Sequence, residues 1–490
     1  MERFVSAFGL LAMIGFAYLM SSNHKKFPLR VVVGGLALQL LFALLILQTA
    51  PGKTTFRVIG DVFTNMISHV DAGSRFMFGM KRELEVPVVV SGKAHQGRFS
   101  VWENSESDKQ YIDHLVQSVR GKQGKIAIAI GEKSQEFDLT SEDWEQQLRT
   151  WFHVAIASFR SGEYPQTKQL LSSFAFGVLP TIIFFSSLMS MLYYLGVMQK
   201  VVAFFAWVMR STLGTSGAET LSAAANVFVG QTEAPLVIRP YVSKMTQSEL
   251  MAVMVGGFAT IAGGVLAAYV SFGIDAGHLV TASVISAPAA LLIAKVMQPE
   301  TEHSLTMGEV ELNVEEKAAN LIEAAASGAT AGMKLAINVA AMLIAFLAII
   351  AMFNAVIGWT GEWFGFVATD RWTLEKGLGW LFWPLAWLMG IPALDCSKAG
   401  ELLGTKMVAN EFVAYLQLGQ LQEGLSPRSV TILTYALCGF ANFGSIGIQL
   451  GGIGGVAPDR RGDLARLGMR AMLGGTLAAF MTACIAGILI

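Results

Sequence analysis

Cysteine is nearly absent from this 490-residue chain: Cys396, Cys438 and Cys484 are an odd number, far apart, each in apolar surroundings. No paired spacing exists for a disulfide framework or a metal cluster, so the three read as small membrane-buried residues. Charge is scarce as well. Only 14% of residues are charged, against roughly 25% in soluble globular chains. With 53% hydrophobic residues, this makes the chain an integral membrane protein. Net charge is −1 and no basic run is long enough to hold a polyanion, so nucleic acid is excluded as a partner. No nucleophile–base pair stands out, and His278 and His303 are isolated, which argues against a membrane enzyme. Ahead of the first apolar run Arg3 is offset by Glu2, and no small-residue cleavage site follows, so residues 4–20 read as a retained span.

Apolar runs over 4–20 and 30–49 are each long enough for a membrane helix. The basic loop between them, with Lys25, Lys26 and Arg30, belongs in the cytoplasm and puts the N-terminus outside. Phe56, Ile59, Val62, Phe63, Met66, Ile67 and Val70 recur at helical spacing, which predicts an amphipathic helix lying in the interface, in contact with lipid. Residues 1–80 thus form an N-terminal membrane segment. Residues 81–168 change character: strand-like Val86–Val90 and Lys125–Ile130 flank a polar helix over Asp108–Arg120. Ser141 then caps a second helix running toward Arg160. This predicts a small α+β insertion outside the membrane, docking or structural in role, with ligand sensing as the alternative.

The second membrane part is 169–490. Spans are expected at 170–195, 248–272, 278–297, 333–357, 430–452 and 471–490, with 317–330 interfacial and Pro299–Glu316 a cytoplasmic linker. Two regions fit no single span. Over 200–240, positive residues flank both ends. Over 378–420, Pro392, Asp395, Lys398 and Glu401 interrupt the apolar pattern. Re-entrant hairpins resolve both conflicts. The two regions also resemble each other. Phe205–Met209 parallels Leu385–Met389, Gln231–Ala234 parallels Asn410–Phe412, and Gly257–Gly263 parallels Gly439–Ser445, in the same order. Three spans separate the copies, so the second is inverted, an arrangement that secondary transporters use to build a midplane site. The predicted architecture is eight membrane helices plus two re-entrant hairpins: hairpin 200–240 with spans 248–297, and hairpin 378–420 with spans 428–490.

Glu233 and Glu411 are ionisable residues at membrane depth, a costly placement that marks function. A buried salt bridge with Arg239, Lys244 or Lys406 is the structural alternative. Gln231, Thr232, Asn442 and Ser445 add neutral donors and acceptors, which suits an uncharged, polyhydroxylated solute. Phe440 offers either packing or a surface for a flat ring. Asn226, Thr260 and carbonyls near Val229 and Ile261 are oxygen ligands of the kind a small cation takes.

The run SAAANVFVGQTEAPLVIRPY (Ser222–Tyr241), with Asn410–Tyr415 and Cys438–Asn442, resembles the signature of the concentrative nucleoside transporters. The likeness covers 1–80 and 170–490. It implies a homotrimer in the plasma (inner) membrane that imports nucleosides, coupled to sodium or, in some members, to protons. It implies further that Gln231, Thr232, Glu233 and Val265 face the nucleobase. Glu411, Asn442 and Ser445 would hold the ribose, and Phe440 would pack on the nucleoside. Asn226, Thr260 and the carbonyls of Val229 and Ile261 would bind sodium, with no organic cofactor. Thr260 stands where serine also occurs in the family and keeps the hydroxyl. Segment 81–168 departs from the family's core. A sensor using that segment is the rival from another class, weakened by the lack of a recognisable output domain. Both termini are expected outside the cytoplasm.

Overall fold

A computed structural model describes residues 2–77, 86–92, 97–101, 105–130, 133–156, 175, 178–307, 318–363, 365 and 372–490. Contacts divide the chain into two units, Met1–Ser68 with Thr181–Ile490, and His69–Pro180. Lys81–Glu85, the stretch of the second insertion helix toward Arg160 and most of the linker after Met307 lie outside the described residues.

Helices α1 (Glu2–Leu19) and α2 (Leu29–Leu47) occupy the first two apolar runs. The periodic stretch after them is one helix, α3 (Ala50–Met77). In the second unit the chain runs β1 (Val86–Gly92), β2 (Gly97–Val101), α4 (Ser105–Val119), β3 (Lys125–Ile130), β4 (Lys133–Asp138) and α5 (144–156). The sheet order is β2-β1-β3-β4, antiparallel throughout. Strict alternation in β3 puts Ile126, Ile128 and Ile130 on one face. Val88 and Val90 of β1 join them through the pairings Val88↔Ile130 and Val90↔Ile128. Ile112, Leu115, Val116 and Val119 of α4, with Leu148, Phe152 and Ile156 of α5, complete a closed core. The sheet has four strands, where the sequence pattern marks two and leaves room for a further short one. β4 is polar at all but Phe137, so alternation gives it little signal. Thr140 donates side-chain and backbone bonds to Asp138 at 2.6 and 3.0 Å, holding that carboxyl below its ordinary range.

The larger unit continues with α6 (Leu179–Tyr194) and α7 (Val197–Leu213), bent 79° apart at Gly196, whose φ of 76° a side chain would resist. Then come α8 (Gly217–Ala225), α9 (Ala234–Val237), α10 (Arg239–Val242), α11 (Gln247–Ala259), α12 (Gly263–Ser271) and α13 (Ala276–Met297). After the linker, α14 (Leu321–Trp363) is a single helix of 43 residues, so the predicted interfacial stretch and span are continuous. The last elements are α15 (Leu374–Leu388), α16 (Cys396–Val408), α17 (Glu411–Leu421), α18 (Pro427–Leu437), α19 (Phe443–Val456) and α20 (Arg461–Leu489). The core is built on α13 and α20, which pack on each other, on α11 and α18, and on α1 and α2.

Among the described residues six helical stretches are long and apolar enough to cross a membrane, or seven if the bent α6–α7 pair is one span. That differs from the eight read from hydropathy because breaks cut the apolar runs. The expected span 430–452 is divided into α18 and α19, of 11 and 14 residues. Region 378–420 holds most of α15, a turn through Pro392, and the pair α16–α17 broken at Ala409–Asn410. Asp395 accepts from Ser426 N at 3.1 Å and Ser429 Oγ at 2.6 Å, while Lys398 pairs with Glu401 at 2.8 Å.

A buried polar cluster ties the starts of α8 and α11 together. Ser216 with Glu219, and Thr246 with Glu249, each form a capping box, satisfying amides that a helix start leaves unpaired. Lys295 Nζ of α13 pairs with Glu219 at 2.7 Å and donates to Ser248 Oγ at 2.9 Å. Glu249 accepts from Ser304 Oγ at 2.6 Å and from Thr306 Oγ1, which pins the linker to both helices. Lys295 is 5% exposed and Glu219 1%. Removing one partner of such a pair strands the other charge, at a cost of about 3–5 kcal/mol. Lys295→Met is therefore expected to lower the melting temperature in detergent, with Lys295→Met/Glu219→Gln recovering most of the loss. Equal melting of Lys295→Met and the parent would contradict it.

Candidate functional site

Four interruptions of helical structure converge. The first, Asn226–Glu233, lies between α8 and α9, where Pro235 ends any continuous helix. The second is Ala409–Asn410, between α16 and α17. The third, Thr260–Ala262, separates α11 from α12. The fourth, Cys438–Asn442, separates α18 from α19. They are held to one another by hydrogen bonds between groups distant in sequence. Gly263 N of α12 donates to Phe228 O at 3.0 Å, and Phe440 N to Thr260 O at 3.2 Å. Gln231 Nε2 donates to Ser445 Oγ at 3.1 Å. Asn442 Nδ2 donates to Glu411 Oε2 at 3.0 Å, and Tyr269 OH to Glu411 Oε1 at 3.2 Å.

Local chemistry sets each break. Asn410 Oδ1 accepts from Val413 N at 2.9 Å and so starts α17, putting Glu411 in its first turn. Asn442 Oδ1 accepts from Ser445 N at 2.8 Å and starts α19 in the same way. Gly439 has φ of 140°, and a Cβ there would stand 2.7 Å from Phe258 O. Only glycine lets the third and fourth breaks touch. Glu233 Oε2 accepts from Gly230 N at 2.7 Å, closing the first break on itself.

The predicted residues do not all meet. Gln231 with Ser445, Glu411 with Asn442, and Phe440 with Thr260 are brought together. Thr232 lies against Gly452 of α19, and Val265 is buried in α12. Glu233 lines a cavity of about 540 Å³ with Val229, Ser186, Ser190, Tyr193 and Gly264, while Glu411 is 5% exposed and bonded to Tyr269 and Asn442. Lys406 is not bonded to Glu411 but donates to Ala436 O at 2.9 Å. Asn226 is fully buried, and both polar atoms of its amide lack a partner among the described residues. Thr260 Oγ1 donates to Gly256 O at 2.9 Å, which leaves its lone pairs available.

Three site residues escape the sequence reading. Tyr269 and Tyr193 look like ordinary membrane aromatics. Gln449 of α19 is fully buried and donates through Nε2 to Gln231 Oε1 and to Met254 O, both at 3.1 Å. A lone glutamine in a run of glycine and isoleucine was the available signal for it.

Known proteins share this arrangement. Residues 8–81 and 278–487 match the family descriptions "Na+ dependent nucleoside transporter N-terminus" and "C-terminus", and 175–276 match "Nucleoside recognition". A Haemophilus influenzae protein named "Uncharacterized transporter" is 40% identical over 99% of this chain and 97% of its own length. The chain belongs to the sodium-dependent nucleoside transporter family. "Sodium/nucleoside cotransporter 1" of Mus musculus is 37% identical, and "Solute carrier family 28 member 3" of Eptatretus stoutii 38%. This chain spans 64% and 61% of their respective lengths. Among solved structures, CNTnw in an inward-facing substrate-bound state superposes with a TM-score of 0.75 at 37% identity, over 100% of this chain and 98% of the other. A doubly substituted CNTnw in an outward-facing state gives 0.76, with the same identity and coverage. The fold is thus that of a helical membrane transporter whose relatives are captured facing both ways, as alternating access requires. The three family matches leave 82–174 uncovered.

Proposed function

We propose that this member of the family imports nucleosides by sodium symport, and that the meeting of the four helix breaks is its transport site. The observation that carries the reading is the pair of bonds Gln231–Ser445 and Glu411–Asn442, which join both broken hairpins to one broken span. Gln231, Thr232, Glu233 and Val265 face the nucleobase. Glu411, Asn442 and Ser445 hold the ribose hydroxyls, and Phe440 packs on the nucleoside. A carboxylate accepts from vicinal hydroxyls through both oxygens, and such charge-assisted bonds are about twice as strong as neutral ones. Tyr269 and Asn442 orient Glu411 for that task.

Sodium is a hard monovalent cation that takes oxygen ligands. The Asn226 amide, buried without a protein partner, and the Thr260 hydroxyl fit that chemistry, with the carbonyls of Val229 and Ile261 completing the set. When bound, it would supply positive charge to backbone at the first and third breaks. Asn226 and Thr260 order those breaks, and Gln231 follows Asn226 on the same loop. Ion and nucleoside therefore stabilise one arrangement of the same backbone, which is what coupling needs.

The chain is further read as eight membrane helices with two re-entrant hairpins in an inverted repeat. The series α7, α8, α9–α10, α11, α12, α13 is matched in order by α15, α16, α17, α18, α19, α20, which supports it. A homotrimer in the inner membrane, with both termini and the β1–α5 insertion outside, completes the proposal. The largely exposed apolar surface of α14 suits lipid and subunit contact.

Uptake of labelled uridine into proteoliposomes is the test. A sodium gradient is expected to drive accumulation; equal uptake driven by protons alone would replace sodium coupling. Asn226→Leu is expected to raise the sodium concentration for half-maximal uptake about ten-fold, the equivalent of ~1.4 kcal/mol of lost ligation. An unchanged sodium dependence would remove Asn226 from the ion site.

A further inference from the structure

We infer that Gln449 is a positioning residue that fixes which way the Gln231 amide points and thereby sets the base preference of the site. The inference rests on the reading that Gln231 faces the nucleobase.

A glutamine amide is two-faced: one end donates, the other accepts, and the two are near in shape, so an orientation must be argued from the bonding network. Here the network has a fixed end. Met254 O is a backbone carbonyl and can only accept. The Gln449 atom 3.1 Å from it must therefore be Nε2. That same Nε2 lies 3.1 Å from the Gln231 side chain, so the facing Gln231 atom must be Oε1. The opposite end of Gln231 is then Nε2, which donates to Ser445 Oγ at 3.1 Å. Polarity passes from Met254 O through two amides to Ser445 without a free choice at any step.

The contact exists because α11 carries glycine where it does. A Cβ on Gly257 would stand 2.7 Å from Gln449 Nε2 and 2.9 Å from Gln231 Cβ. Gln449 has no exposure and its Oε1 has no partner among the described residues, so no water-facing role explains a polar side chain at this depth. Keeping an amide there while leaving one end unsatisfied costs stability. What it obtains is the fixed orientation of Gln231.

The consequence for substrate follows from hydrogen-bond capacity. Gln231 Nε2 uses one N–H on Ser445, and its second N–H has no partner among the described residues. The site therefore offers the base a donor, which a carbonyl edge accepts and an amino edge opposes. Uridine and cytidine differ in that way, with a ring carbonyl in one replaced by an amino group in the other. Specificity comes as much from the mismatched donor as from the matched one.

Concentration-dependent uptake of uridine and cytidine by the full-length protein in proteoliposomes decides it. The unsubstituted protein is expected to show a KM for uridine about ten-fold below that for cytidine. Gln449→Met, which keeps the volume and removes the amide, should bring the two KM values close together. Gln449→Glu presents acceptors only, turns Gln231 round, and should favour cytidine. Discrimination between uridine and its 2′,3′-dideoxy analogue, which depends on Glu411, should persist in Gln449→Met. A parent that prefers cytidine, or a uridine-to-cytidine ratio left unchanged by Gln449→Met, would overturn the inference while leaving nucleoside transport standing. Failure of the unsubstituted protein to take up either nucleoside would instead overturn the functional reading itself, and this inference with it.

Discussion

Glu411→Gln is expected to reduce uridine uptake, measured as kcat/KM in proteoliposomes, by about 100-fold or more, with normal amounts of protein in the membrane. Both carboxylate oxygens already accept, from Tyr269 OH at 3.2 Å and Asn442 Nδ2 at 3.0 Å. An amide in that place turns one acceptor into a donor facing a donor, and it removes the charge that strengthens any bond from a ribose hydroxyl. Folding should survive, because replacing a buried charge by a neutral group relieves desolvation. Glu233→Gln should cost less, roughly ten-fold. Glu233 lines an open cavity, and an amide oxygen can still accept from Gly230 N. Equal losses in the two variants would mean that the carboxylates carry equal shares of the substrate. Normal uptake in Glu411→Gln would remove it from the site.

The second large effect is expected at Gly439. An alanine Cβ would lie 2.7 Å from Phe258 O and 3.0 Å from Ala259 C, both backbone atoms that cannot rotate aside. The φ of 140° is unfavourable for any L side chain. Gly439→Ala must therefore push the fourth break off the third and stretch the Phe440 N to Thr260 O bond of 3.2 Å. A melting temperature in detergent lower by about 5 °C or more, together with lost uptake, is the expected outcome. Gly447→Ala is the control, since nothing stands within 4 Å of its Cβ position and its φ is ordinary. If the two variants behave alike, the close crossing of the breaks has no energetic weight.

Sequence reading goes furthest where the physics is local. Scarce charge and long apolar runs identify a membrane protein because every exposed ionic group in hydrocarbon is costly. Alternation in Lys125–Ile130 is enough to find β3. Glu233 and Glu411 stand out for the same reason, as carboxylates in apolar company. A run read as one span is nevertheless broken at Cys438–Asn442. Hydropathy averages over a window and does not register the backbone angle of one glycine.

Contacts between distant segments belong to the fold alone. Gln231 and Ser445 are separated by 214 positions, and Gln231 and Gln449 by 218. Nothing in the spacing of either residue says that their amides and hydroxyl will meet. Two carboxylates that look equivalent in the sequence have different surroundings, one buried against Tyr269 and Asn442, the other on a cavity wall. Composition and local pattern determined that this chain sits in a membrane and which polar residues it keeps there at a cost. The tertiary structure decided which of them face each other and in what polarity, because a hydrogen bond is directional and its direction here is fixed by one carbonyl, Met254 O, a backbone atom outside every motif.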